Sequence, residues 1–416
     1  MLFQIERQLR ERLVFNMKKL LQAFLLLIIG CSCLTLTSCD TGNTLYVLNW
    51  AEYIDEDLIV MFEEEYNCTV VLDIAQSNEA MFSKIVSDAA PYDIAFPSDY
   101  MIDQMINCRD EGINESIIQK IDISKLSDDY NETYNYQFFE ERFDSKLLEM
   151  INRDCPLLLQ YSIPYFWGSL GIMYNTEKIS DEQIQENGWD VIFEKDLLGD
   201  VNIGMYASAR DSIAAGLLYN GYSLNTKISS EIQKAGDSLY NMNYHAWATD
   251  DLKTGVATGK YDLALVYSGD FFDALYSAYD VPEGVEPNIT FNFYAPDNNN
   301  VFFDAMVIPK NSRNTDLAYE FIKFMIDTEK VVVKEDADGE EFEIIGIAYA
   351  NAQYVGYCPT IRSVYDSMLE NPDFEGIADL EVYWPGNIEN GEIYQYLGSE
   401  IYSEYDEIYK KAKSKR

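Results

Sequence analysis

Residues 45–100 read LYVLNWAEYIDEDLIVMFEEEYNCTVVLDIAQSNEAMFSKIVSDAAPYDIAFPSDY, and this stretch decides the fold. The run Leu45-Tyr46-Val47-Leu48 is short, apolar and β-prone, and Thr69-Val70-Val71-Leu72-Asp73-Ile74 and Tyr92-Asp93-Ile94-Ala95-Phe96 repeat that character. Between the first two, Leu58, Ile59, Phe62 and Tyr66 fall at helical spacing behind Asp55, Glu56 and Asp57, whose charges suit a helix N-terminus. Between the second and third, Met81, Phe82 and Ile85 make another apolar stripe, with Ser77 or Asn78 as its N-cap. The order β-α-β-α-β predicts an α/β fold, a parallel sheet with helices on both faces. Ligand groups then belong on loops beyond the carboxyl ends of the strands, where Trp50 and Ser98 stand.

Outward from this core, residues 104 to about 156 are polar and read as surface insertions without a catalytic pattern. Strand character returns from Ser162-Ile163-Pro164-Tyr165-Phe166-Trp167-Gly168 through Tyr174 and opens a second α/β unit. That unit is expected to hold a strand over 201–206, a polar turn from Ala207 to Asp211 and a helix from about Ser212. A strand over 262–267 follows, ending in Ser268-Gly269-Asp270, and Phe302-Phe303-Asp304 leads into a strand over 305–308 closed by Pro309. Leu317, Phe321, Phe324 and Met325 mark a late helix, and residues 334–343 read as an acidic, solvated hairpin or loop.

The 416 residues suffice for two to three domains, and 48% hydrophobic with 24% charged residues is ordinary for a folded chain. The charge is not ordinary: Asp+Glu 71 against Lys+Arg 30 gives a formal net of -41, which argues against a nucleic-acid partner and suits a cationic one, or only solubility. A single histidine, His245, removes multi-His zinc sites and most His-relay hydrolases. At the amino end, Met17-Lys18-Lys19, an apolar run to Ile29 and Leu36-Thr37-Ser38-Cys39 form an export signal, with Met17 as the expected start. Four cysteines follow, Cys68, Cys108, Cys155 and Cys358, without metal-site spacing, and their pairing stays open.

Trp50 with Glu52 and Tyr53, Ser98 with Tyr100, Tyr267 with Asp270, and Phe302 with Asp304 put aromatics and carboxylates on segments expected to follow strand ends. Such pairs suit an organic cation: the carboxylate takes the ammonium, and an aromatic face adds roughly 0.5–2 kcal/mol while covering methylenes. Each aromatic alone is more often core than contact. Gly236-Asp237-Ser238-Leu239 matches a lipase nucleophile block by letters, with His245 nearby, and supplies a hydrolase alternative. Phosphate loops and calcium loops are absent.

The blocks Asn49-Trp50-Ala51-Glu52-Tyr53, Pro97-Ser98-Asp99-Tyr100, Ile163-Pro164-Tyr165-Phe166-Trp167-Gly168, Tyr267-Ser268-Gly269-Asp270, Phe303-Asp304-Ala305-Met306 and Gly356-Tyr357-Cys358-Pro359-Thr360 come in an order that resembles bacterial spermidine/putrescine-binding proteins of ABC transporters. The resemblance spans nearly all of residues 44–416. It implies a two-lobed periplasmic-binding-protein fold, each lobe a mixed sheet flanked by helices, with a polyamine, putrescine or spermidine, in the cleft between lobes and delivery to a permease. It also implies no enzyme activity, no cofactor, no metal and a monomer. The implied partition is 1–39 signal peptide with a lipobox, 40–43 tether, 44–168 with 304–365 as one lobe, and 169–303 with 366–416 as the other. Cys39 resembles the lipidated cysteine of bacterial lipoproteins, which would anchor the exported chain to the membrane on its periplasmic or cell-surface face.

By position the resemblance makes Trp50, Tyr53, Ser98, Tyr100, Asp304 and Tyr357 ligand contacts, with Asp304 the carboxylate for an ammonium group, while Glu52, on the same loop as Trp50, is a further candidate for an ammonium end. Tyr267 and Phe302 stand where relatives often carry tryptophan, and Asp270 matches an acidic position of putrescine-binding members. Where spermidine binders have an acidic pair, this chain has Ser208 and Asp211, so one carboxylate is lost and Asp270 is the expected replacement. The family's carboxyl-end glutamine falls on Tyr394, one step from Gln395. The rival within the same architecture is a binding protein for another cationic or neutral solute.

Overall fold

In the computed structural model, the described residues are 43–415 without 88–90, 109–111, 114, 195, 280, 282–284, 286, 336–340 and 371–379. The segment expected to be an export signal, and Cys39, lie outside them. The opening stretch folds as the pattern predicts: β1 (Thr44–Asn49), α1 (Glu56–Tyr66), β2 (Thr69–Ile74), α2 (Asn78–Ser87), β3 (Ile94–Ala95) and α3 (Asp99–Ile106). Asp55 caps α1 by accepting from the Asp57 amide, and Ser77 Oγ accepts from the Ala80 amide at the start of α2. These strands form a sheet in the order β2-β1-β3, with β1 and β3 parallel, pairing Val47 with Ile94 and Leu48 with Ala95.

The second sheet is built on β4 (Ile163–Asn175), thirteen residues buried throughout. With β5 (Ile203–Tyr206), β6 (Ala246–Ala248), β7 (Leu263–Tyr267), β8 (Phe291–Tyr294), β9 (Asn298–Met306), β12 (Cys358–Pro359) and β13 (Asn390–Glu392) it makes eight strands, ordered β13-β9-β4-β7-β5-β6, with β8 and β12 also on β4. Along β4 the partner changes: Ile163 to Ser169 face β9, and Leu170 to Tyr174 face β7, both antiparallel. Beyond β9, Val307 and Ala95 exchange backbone hydrogen bonds of 3.0 and 2.9 Å, so the same chain segment reaches both sheets. The strands β5, β6 and β7 are parallel to one another.

Four expectations are corrected. The helix expected from about Ser212 is α5 (Ala209–Tyr219), with Ser208 as its N-cap and Asp211 in its first turn, because the Ser208 hydroxyl accepts from the Asp211 amide at 3.4 Å. Asp270 is not in a loop but in the first turn of α8 (Ser268–Tyr279), where its charge meets the positive end of the helix. Phe302 and Asp304 lie within β9, not before it, and the period of two puts both on one face. The stretch 105–156 is not surface insertion: it buries Ile118, Ile121, Ile123, Phe138, Phe139 and Phe143, and α4 (Ser145–Asp154) buries Leu147, Leu148 and Ile151. Its apolar residues come singly or in pairs between charged ones, which lowers local hydropathy without removing a core face. The expected acidic hairpin is β10 (Val331–Glu335) paired antiparallel with β11 (Glu341–Ile345).

Candidate functional site: an aromatic cavity with buried aspartates

A cavity of about 1150 Å³ opens where the carboxyl ends of β1, β3, β5 and β7 converge, and all thirteen ligand-contact positions named from the sequence line it. Trp50, Glu52 and Tyr53 come from the loop after β1. Ser98 and Tyr100 come from the start of α3, Ser208 and Asp211 from the start of α5, and Tyr267 and Asp270 from the β7–α8 junction. Phe302 and Asp304 project from β9, and Tyr357 and Tyr394 come from later loops. Glu52 is exposed and holds a left-handed backbone at φ 53°, which few non-glycine residues adopt.

Asp304 is buried, with 6% of its surface exposed. The Tyr53 hydroxyl donates to its Oδ2 at 2.7 Å, while Oδ1 makes no hydrogen bond. Burial pushes this carboxyl up to about 6, against the pull of the Ser98 and Tyr53 hydroxyl dipoles. Burial also drives the Tyr53 phenol well above its ordinary value, so it stays a donor. The Tyr53 ring is fixed from behind: Tyr165 donates its hydroxyl to the Tyr53 carbonyl at 2.9 Å and in turn accepts from Asn351 Nδ2 at 2.6 Å.

From Asp304 an aromatic wall runs across the cavity. Ring centroids lie 5.7 Å apart for Tyr53–Tyr357, 6.2 Å for Tyr357–Phe302, 5.0 Å for Phe302–Tyr267 and 5.4 Å for Tyr267–Tyr206, all steeply inclined to one another. Two glycines make room. A Cβ on Gly168 would stand 2.7 Å from Phe302 Cε1, and one on Gly269 would overlap the Tyr357 ring. Trp50 closes another side, its indole N–H donating to the Phe96 carbonyl at 2.7 Å.

At the far side Asp211 Oδ1 accepts from the hydroxyls of Tyr267 at 2.7 Å and Tyr394 at 3.1 Å. Gln395 turns away and donates to the Asp154 carbonyl at 3.1 Å, so Tyr394 is the residue of that pair that lines the cavity. Asp270 Oδ2 accepts from the Tyr267 amide at 3.2 Å, and its Oδ1 lies 3.9 Å from Lys253 Nζ. Burial pushes Asp270 up to about 6, with Lys253 opposing. The sequence reading missed Lys253, Glu79 and Arg210. Arg210 carries its guanidinium carbon 3.0 Å from the Tyr100 ring centroid and donates to Glu79 Oε1 at 3.1 Å. Its adjacency to Asp211, which α5 turns into the cavity, is the signal that could have found it. Lys253 had no comparable signal.

The lipase-like block does not assemble. Ser238 sits in the helix Ser229–Asn241 and donates to the Lys234 carbonyl at 3.1 Å, while His245 packs edge-on against Tyr261. Neither lines the cavity. Among the described residues no helix is long and apolar enough to cross a membrane.

Comparison with known proteins agrees with this geometry. The family model for bacterial extracellular solute-binding proteins matches residues 57–333. The spermidine/putrescine-binding periplasmic protein of Escherichia coli is 28% identical over 384 residues, 91% of this chain and 93% of that protein. A putrescine-binding periplasmic protein of Pseudomonas aeruginosa is 26% identical over 335 residues, 78% of this chain and 84% of that protein. Among solved structures, a putative spermidine/putrescine ABC transporter protein of Listeria monocytogenes superposes with a TM-score of 0.66 at 31% identity, covering 90% of this chain and 100% of that one. The spermidine/putrescine substrate-binding protein of Streptococcus pneumoniae gives a TM-score of 0.67 at 27% identity, covering 89% of this chain and 98% of that one. The resemblance read from the blocks is thereby borne out, together with the two-lobed binding-protein fold it implied: the chain belongs to the bacterial extracellular solute-binding proteins.

Proposed function

We propose that this protein is an exported receptor that binds a polyamine of the putrescine–spermidine class in the Asp304 cavity and delivers it to an ABC permease. The observation that carries the reading is Asp304, a buried carboxylate with one oxygen held by a phenol and the other without a hydrogen bond, at the end of an aromatic wall. A buried anion without a cation is costly, and a ligand ammonium removes that cost with a charge-assisted hydrogen bond. Tyr357, Phe302 and Tyr267 cover the methylene chain, and Asp211, whose Oδ1 is held by two phenols, receives the second ammonium. The relatives named for spermidine and putrescine support the same ligand class.

The partner change along β4 at Ser169–Leu170 supports a lobe boundary at 168, with 44–168 and 304–365 forming one lobe and 169–303 and 366–416 the other. The pairing of β13 with Asn298 to Asn300 supports assigning the carboxyl end to the second lobe. The receptor is no enzyme, acts as a monomer and is held to the membrane by a lipid on Cys39, as the Leu36-Thr37-Ser38-Cys39 motif implies.

Isothermal titration calorimetry of residues 40–416, stripped of carried-over ligand, against putrescine, cadaverine, spermidine and spermine tests this. Saturable one-to-one heat with a polyamine is expected. Absence of heat from folded, empty protein for all four would refute the ligand class.

A further inference from the structure

The cavity contains a cation of the protein's own. Lys253, on the helix Asp251–Ala257, lines it together with Asp250, Asp270 and Asp273. Its ammonium is 2.8 Å from Asp273 Oδ2 and 3.9 Å from Asp270 Oδ1, and its side chain is only 23% exposed. This corner adjoins the aromatic wall. Asp270 is tied to the Tyr267 backbone, and the Tyr357 ring lies against Gly269, the residue before it. An ammonium at this corner would therefore sit beside the same aromatic faces that cover the ligand chain.

We infer that Lys253 is a specificity-determining residue: it fills the acidic corner of Asp270 and Asp273, leaves the cavity two ligand-ammonium positions, at Asp304 and Asp211, and so disfavours the triamine relative to the diamine. The inference rests on the polyamine reading above. A third ammonium brought to Asp270 has to displace Lys253 or lie beside it, and like charges in a partly desolvated site repel strongly. The protein's lysine has the entropic advantage of being already tethered there, whereas a ligand arm must be ordered on binding. The carboxylate that the sequence offers as a replacement for the missing partner at Ser208 thus already has a protein ammonium 3.9 Å away, shared with Asp273. Asp304 has no such companion, since what acts on its carboxyl are the Tyr53 and Ser98 hydroxyls rather than a cation. The cavity volume of about 1150 Å³ does not exclude spermidine by size, so the discrimination falls to charge.

The test compares putrescine and spermidine by calorimetry on residues 40–416, of which Leu45–Arg416 form one compact unit. The proteins are wild type, Lys253→Gln and Lys253→Arg, each checked for a cooperative melt. Wild type is expected to bind putrescine more tightly than spermidine. Lys253→Gln should raise the spermidine-to-putrescine affinity ratio at least tenfold, and Lys253→Arg, which keeps the cation, should hold the ratio within threefold of wild type. A ratio unchanged in Lys253→Gln would overturn the inference, because a lysine that only supports the fold or the general field moves both affinities together. A wild-type preference for spermidine would overturn it as well. Both results leave polyamine binding intact, whereas loss of the polyamine reading itself would register as no saturable heat from wild type with either ligand.

Discussion

Asp304 and Asp270 line one cavity, both largely removed from water, and burial pushes both up to about 6. Their surroundings differ. Asp304 is approached by the Tyr53 and Ser98 hydroxyls and keeps one oxygen without a hydrogen bond, while Asp270 shares a corner with Lys253 and Asp273. The difference teaches that a carboxylate count does not give the number of cation sites. What a buried aspartate offers a ligand is set by whether the protein has already supplied a counter-ion, because the cost of an unpaired charge is relieved only once.

The sharpest way to break this comparison is to neutralise the open end. Asp304→Asn should weaken polyamine binding by roughly 2–5 kcal/mol, read by calorimetry, since it leaves a desolvated ligand ammonium unpaired. An unchanged affinity would remove Asp304 from the site. A smaller effect is expected from the wall: Trp50→Ala should cost on the order of 1–2 kcal/mol, through lost cation–π attraction and methylene cover. A loss equal to that of Asp304→Asn would shift the weight of binding from charge to stacking.

The third measurement is affinity against pH. The ammonium requires Asp304 ionised, so with its carboxyl at about 6 affinity should fall about fivefold between pH 6 and pH 5 and approach a slope of one proton per ligand below pH 5. A slope near two would mean that Asp270 also receives the ligand, which would erase the distinction between the two aspartates. Without ligand the sign reverses. The folded value of about 6 lies above the unfolded one near 3.9, so Asp304 stabilises the ligand-free fold at acid pH and that contribution is lost as pH rises through about 6.

Much of this was legible in the sequence for local reasons. Helical spacing behind Asp55, alternation in the strands and a serine cap at Ser77 are set within a few residues, so the β-α-β-α-β opening could be read directly. The aromatic and acidic blocks were legible as types, because a cation receptor needs both. Their backbone setting was less so: Asp270 and Asp304 lie in a helix and a strand, where loops were expected. The buried segment 105–156 was misread because its apolar residues are interspersed with charge and acquire a shared face only on helices and against neighbours.

The sequence by itself determined the alternation of strands and helices, the acidic balance and the residue types able to hold an organic cation. Each depends on composition or on spacing along one local element. Only the tertiary structure decided which carboxylates meet a cation of the protein's own. Lys253 approaches Asp270 and Asp273, and Arg210 reaches Glu79 and the face of Tyr100, across separations in the chain that no periodicity encodes. The buried electrostatics follow from these long-range approaches, because a charge is matched by what is near it in space.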